Sequence, residues 1–86
     1  MATMQNDTDE QKPTLLIVDD DRTWLERLAR AMDSRGYEVH SAGSVSEGIQ
    51  LGKQVKPAFA VVDMRLEDGN GLDVVRSLQS ENPDAR

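Results

Sequence analysis

The sequence predicts a single α/β domain on a parallel sheet, and three observations carry that expectation. Short apolar runs rich in β-branched residues, Leu15 to Val18 and Ala58 to Val62, alternate with stretches of helical periodicity. Both runs end in acids, the first in Asp19-Asp20-Asp21 and the second in Asp63. The resulting order is β-α-β-α-β-α, which right-handed crossovers fold into a parallel sheet with helices on both faces.

Each element has a local cause. Leu15 to Val18 is continuously apolar, as a strand covered on both faces must be. From Arg22 the period becomes helical, with Trp24, Leu25, Leu28, Ala31, Met32 and Arg35 at compatible spacings. Asp20 or Asp21 is available as N-cap and Gly36 at C′. Tyr37, Val39 and Ser41 predict a shorter strand of alternating polarity. Ser44-Val45-Ser46-Glu47 has capping-box spacing, which starts a second helix at Val45; the helix runs to Val55 and stops before Pro57. Gly48 and Gly52 weaken that helix but share one face, where it can approach the sheet closely. Ala58 to Val62 is the third strand and Glu67 to Gly71 a turn-rich loop; Leu72, Val74, Val75 and Leu78 mark a third helix before Pro83.

Composition removes several function classes. A chain of 86 residues is one domain at most, and a domain this small buries only ~60–65% of the surface its unfolded form exposes, so its stability margin is narrow. With 10 basic against 16 acidic residues and a formal charge of −6, the chain lacks the basic face that direct nucleic-acid binding needs. The absence of cysteine excludes disulfides, thiolate metal sites and cysteine nucleophiles. No apolar run is long enough to span a bilayer. Residues 1–13 read as a disordered leader, because Met1 to Lys12 holds three acids, one lysine and no apolar core of a secretory signal.

The acids at the strand ends are the informative feature. Carboxylates gathered at the C-terminal ends of parallel strands repel one another, and a cation or phosphoryl group offsets that repulsion. Leu16-Ile17-Val18-Asp19-Asp20-Asp21, then Val61-Val62-Asp63-Met64-Arg65-Leu66, then Gly71-Leu72-Asp73-Val74-Val75 together resemble the receiver domain of bacterial two-component response regulators, over Thr14 to Arg86. Within that family, Arg65 to Asp73 and Leu25 to Met32 are similar to the redox-responsive global regulators of photosynthesis and nitrogen fixation in α-proteobacteria. Most receivers have proline where this chain has Glu67, and commonly aspartate where it has Asn70.

The resemblance implies a doubly wound, flavodoxin-like sheet of order 2-1-3-4-5. Residues 14–86 supply the 2-1-3 part and stop after the third helix, which makes them a partial receiver domain. Asp63 is then the phosphoacceptor, taking a phosphoryl group from a sensor histidine kinase. Mg²⁺ would be bound by Asp20 directly, by Asp19 directly or through water, by Asp63, and by the backbone carbonyl of Arg65. The implied role is a cytoplasmic signalling domain rather than an enzyme, one that catalyses only its own phosphorylation. It would control transcription through an output domain absent from this sequence, with a homodimer as an admissible assembly and no membrane partner. The family's later Ser or Thr and Lys have no counterpart here, since Lys12, Lys53 and Lys56 lie in other segments.

Other residues carry plainer readings. Asp21 is expected to cap the first helix, and Asp68 and Asp73 to be solvated loop and helix-start charges. A calcium loop starting at Asp63 fails because Asp68 stands where glycine is required. His40 is expected at a surface strand end, and Trp24 in helix packing. Arg27, Arg30 and Arg35 form a solvated face, with kinase docking as the functional alternative. Two rival functions stay open. Asp19-x-Asp21-x-Thr23 fits a haloacid-dehalogenase-type phosphatase with Asp19 as nucleophile and Asp21 as general acid/base, and the fold could also serve as a non-phosphorylated interaction module.

Overall fold

The computed structural model describes residues 12–81; residues 1–11 of the expected leader and Pro83 lie outside the described residues. Its elements are β1 (Thr14–Val18), α1 (Arg22–Ser34), β2 (Glu38–Ala42), α2 (Val45–Val55), β3 (Phe59–Val62), a short hairpin of β4 (Arg65–Leu66) and β5 (Gly69–Asn70), and α3 (Gly71–Glu81). The three longer strands form a parallel sheet in the order β2-β1-β3. Burial explains why β1 is central: Leu15, Leu16, Ile17 and Val18 are all at most 2% exposed, which only a strand with neighbours on both edges and cover on both faces can achieve.

Alternation along β1 divides the core in two. Leu16 and Val18 join Ala42, Val45, Leu66, Val74 and Leu78 on the face covered by α2 and α3. Leu15 and Ile17 pack with Leu25 of α1 and with Leu28, Ala29, Met32, Tyr37 and Val39. The expected role of Gly48 and Gly52 is met, and it extends to α3. A Cβ on Gly48 would lie 3.1 Å from Val18 Cγ2, and one on Gly52 only 2.5 Å from Leu78 Cδ2.

The helix boundaries follow the caps read from the sequence. Asp21 caps α1, accepting from Trp24 N–H at 3.1 Å, and Gly36 at φ 94° ends it in a conformation glycine adopts freely. Ser44 caps α2, and Lys56, left-handed at φ 51°, returns its N–H to Gly52 before Pro57.

Three expectations are corrected. Trp24 is 49% exposed rather than packed, because the buried stripe of α1 is Leu25, Leu28, Ala29 and Met32, and Trp24 projects about one residue's rotation, ~100°, from Leu25. The turn-rich loop is a hairpin, pairing Arg65 with Asn70 and Leu66 with Gly69; burial of Leu66 in the core anchors it. His40 lies inside β2, half-buried with Nε2 2.9 Å from a Glu38 carboxylate oxygen, rather than at the strand's end.

Candidate functional site

Parallel pairing continues one residue beyond the strands, and this places the acids. The Asp19 N–H donates to the Ala42 carbonyl at 3.1 Å, and the Asp63 N–H to the Val18 carbonyl at 2.8 Å. Asp63 is thereby stitched to the end of β1, beside the segment that carries Asp19 and Asp20. One carboxylate oxygen from each of Asp19, Asp20 and Asp63 lies within 4.8 Å of the others. The first and third acids are half-buried and Asp20 is exposed.

These donors fit a hard divalent cation. Carboxylate oxygens are the ligands Mg²⁺ and Ca²⁺ prefer, and one cation can draw such a group together directly or through its waters. Asp21 stands outside the cluster; its own carboxylate is used on α1, and its N–H donates to Asp19 Oδ1 at 2.9 Å. A crevice of about 210 Å³ opens beside Asp19 and Asp20, lined also by Arg22, Ser41, Gly43 and Glu47. Asp63 Oδ1 accepts from the Arg65 N–H at 3.2 Å, so the peptide that follows the acid fixes its side chain.

Two residues of this neighbourhood were not read from the sequence as functional. Gly71 is buried, and a Cβ there would collide with the Asp63 carbonyl oxygen and lie 2.9 Å from Val62 Cγ1; glycine is required so that α3 can start against the acid's own backbone. Its place two residues before Asp73 in the quoted motif was the available signal. Asp68 is an exposed loop charge, as expected, and it also accepts from the Val45 N–H at 2.8 Å and the Ser46 N–H at 3.2 Å, which the sequence did not show. Those bonds, Val45 first and Ser46 second, hold its carboxyl below the ordinary value of 3.8. The Asp68 carboxylate is therefore charged at neutral pH. The stability it contributes is complete above that value and is lost as the pH falls through the depressed one. Asp73 lies exposed in the first turn of α3, as expected.

Comparison with known proteins agrees with this fold. The pattern of the response regulator receiver domain family matches residues 15–86. The photosynthetic apparatus regulatory protein RegA of Cereibacter sphaeroides is 55% identical over 73 residues, which are 85% of this chain and 40% of that protein. The acid tolerance regulatory protein ActR of Rhizobium meliloti is 52% identical over 73 residues, 85% of this chain and 38% of that protein. The chain thus spans about two fifths of the length of these relatives. Among solved structures, a response regulator from Burkholderia pseudomallei, with a phosphorylated aspartic acid, calcium ion and citrate, superposes with a TM-score of 0.81 at 33% identity. That match covers 87% of this chain and 44% of that one.

Proposed function

The chain belongs to the response regulator receiver domain family, a family of signalling domains, and we propose that Asp63 is its phosphoryl acceptor, with Asp19 and Asp20 as the acids that make acceptance possible. The observation that carries this reading is the convergence of the three carboxylates within 4.8 Å at the ends of β1 and β3. One Asp63 oxygen attacks the phosphorus of a phosphohistidine on a sensor kinase. A P–O bond forms as the P–N bond breaks, and the imidazole leaves with the electron pair. Bound by Asp19, Asp20, Asp63 and the Arg65 carbonyl, Mg²⁺ would neutralise the charge that builds on the phosphoryl oxygens. The Asp63 carboxylate is held for attack by the Arg65 N–H and by the ladder bond from its own N–H to Val18. The domain would act in the cytoplasm and transmit its state to transcription through a longer regulator; the support for the transcriptional part is a relative named as a probable transcriptional regulatory protein, 37% identical over 75 residues.

The phosphatase alternative has no support in the family match, and it needs Asp21 as a free acid where the structure commits it to α1. Incubation with acetyl phosphate tests the proposal. Intact mass should rise by one phosphoryl group when Mg²⁺ is present and stay unchanged with a chelator. Equal modification in both conditions would contradict it.

A further inference from the structure

The first donors of an α-helix have no partner within the helix, and α2 satisfies its own in an unusual way. Ser44 Oγ takes the Glu47 N–H at 3.1 Å. The Val45 and Ser46 N–H groups go instead to Asp68, a residue 23 and 22 positions away in the chain, one to each carboxylate oxygen. A negative charge at this end of a helix is favoured, and two charge-assisted bonds fix its orientation as one cannot. The same hairpin is held at two further points. Leu66 is buried in the core beside Val45, and Gly69, at φ 153°, is placed so that a Cβ would lie 3.4 Å from Val45 Cγ2.

The hairpin leads directly into the acidic site. Its first residue, Arg65, donates its N–H to Asp63 Oδ1, and Met64, just before it, accepts from the Gly71 N–H at 3.0 Å. On the other side of the latch, α2 follows the turn after Ala42, whose carbonyl receives the Asp19 N–H. Asp68 therefore joins the segment that positions Asp63 to the segment that positions Asp19.

We propose that Asp68 is a positioning residue for the acidic crevice: by bridging the Val45 and Ser46 N–H groups it clamps the 65–70 hairpin to α2, and so keeps the Arg65 peptide and the Asp63 carboxylate in the arrangement that binds a divalent cation. This rests on the receiver reading given above. Without the clamp the hairpin keeps Leu66, the approach of Gly69 to Val45 and its own short ladder, and loses its two charge-assisted bonds to α2. The Arg65 peptide is then free to swing away, and Asp63 loses the donor that orients it.

The test compares Mg²⁺ affinity in the full chain, followed by amide chemical shifts, for wild type, Asp68→Ala, Asp68→Asn and Ser44→Ala. Asp68→Ala should weaken Mg²⁺ binding about tenfold, the low end of what loss of an outer-shell partner costs a metal site. Asp68→Asn keeps an oxygen for Val45 but presents an amide group to Ser46, so its affinity should fall between. Ser44→Ala removes the other cap of the same helix without touching the hairpin, and should lower thermal stability while leaving Mg²⁺ affinity within about twofold, since that cap lies outside the metal's supporting shell. Wild-type affinity in Asp68→Ala, or equal weakening in Ser44→Ala, would overturn the clamp and leave the receiver reading standing. If the alanine variant does not fold, the asparagine variant decides on the same criterion. A wild-type chain that does not bind Mg²⁺ would overturn the Mg²⁺-assisted acceptor role proposed for the acidic site, and the clamp with it.

Discussion

The two faces of the sheet are built to different standards. On the α2–α3 face, Leu16 and Val18 are fully buried, and Gly48 and Gly52 let α2 close on Val18, Leu78 and Leu16 at contact distance. On the α1 face, one helix covers β1 and β2, while Phe59 at 38% and Val61 at 47% exposure stand open on β3. Phe59 has an edge-to-face ring contact with Tyr37 at 6.0 Å. The register pairs Leu15 with Phe59 and Ile17 with Val61, so buried and open residues are neighbours on one face. The closed face is the one that carries the site's machinery: Leu66, Val45 and Val74 anchor the hairpin and the two helices whose first turns flank the acids. Close packing is concentrated on the face whose helices and hairpin flank Asp63.

That contrast can be broken by substitution. Leu16→Ala, on the closed face, should cost about 2–5 kcal/mol in denaturant unfolding, a large share of the ~5–15 kcal/mol expected of a small domain. Gly71→Ala should cost about 1–3 kcal/mol, because its Cβ meets the rigid Asp63 carbonyl and not a side chain able to move. It should also lower phosphoryl acceptance, since the relaxation displaces Asp63. Val61→Lys, on the open face, should change stability by no more than about 0.5 kcal/mol. A lysine on that strand should also reduce concentration-dependent association in sedimentation, because among the described residues β3 is an unpaired sheet edge. A cost at Val61 matching that at Leu16 would show that the open face is closed in solution.

The sequence disclosed what is local. Asp21 as a cap, Val45 and Val55 as the ends of α2, and Asp19, Asp20 and Asp63 as strand-end acids all follow from adjacent residues, and the structure has each of them. What it concealed is either ambiguous in phase or distant in the chain. Trp24, Leu28, Ala31 and Arg35 satisfy a helical repeat as well as the true stripe of Leu25, Leu28, Ala29 and Met32, and periodicity alone does not choose between them. The Asp68 bonds to Val45 and Ser46 cross more than twenty residues, so nothing in the Glu67 to Gly71 loop distinguishes a clamp from a solvated charge. The resemblance supplied the order of the strands, which spacing alone leaves open.

The most direct measurement of the central claim is the position of the covalent phosphoryl group after reaction with acetyl phosphate and Mg²⁺, located by borohydride trapping and peptide mass spectrometry. The account predicts modification at Asp63, with none at Asp19 and loss of the signal in Asp63→Asn. A phosphoryl group found on Asp19, or one that persists at the same yield in Asp63→Asn, would contradict it.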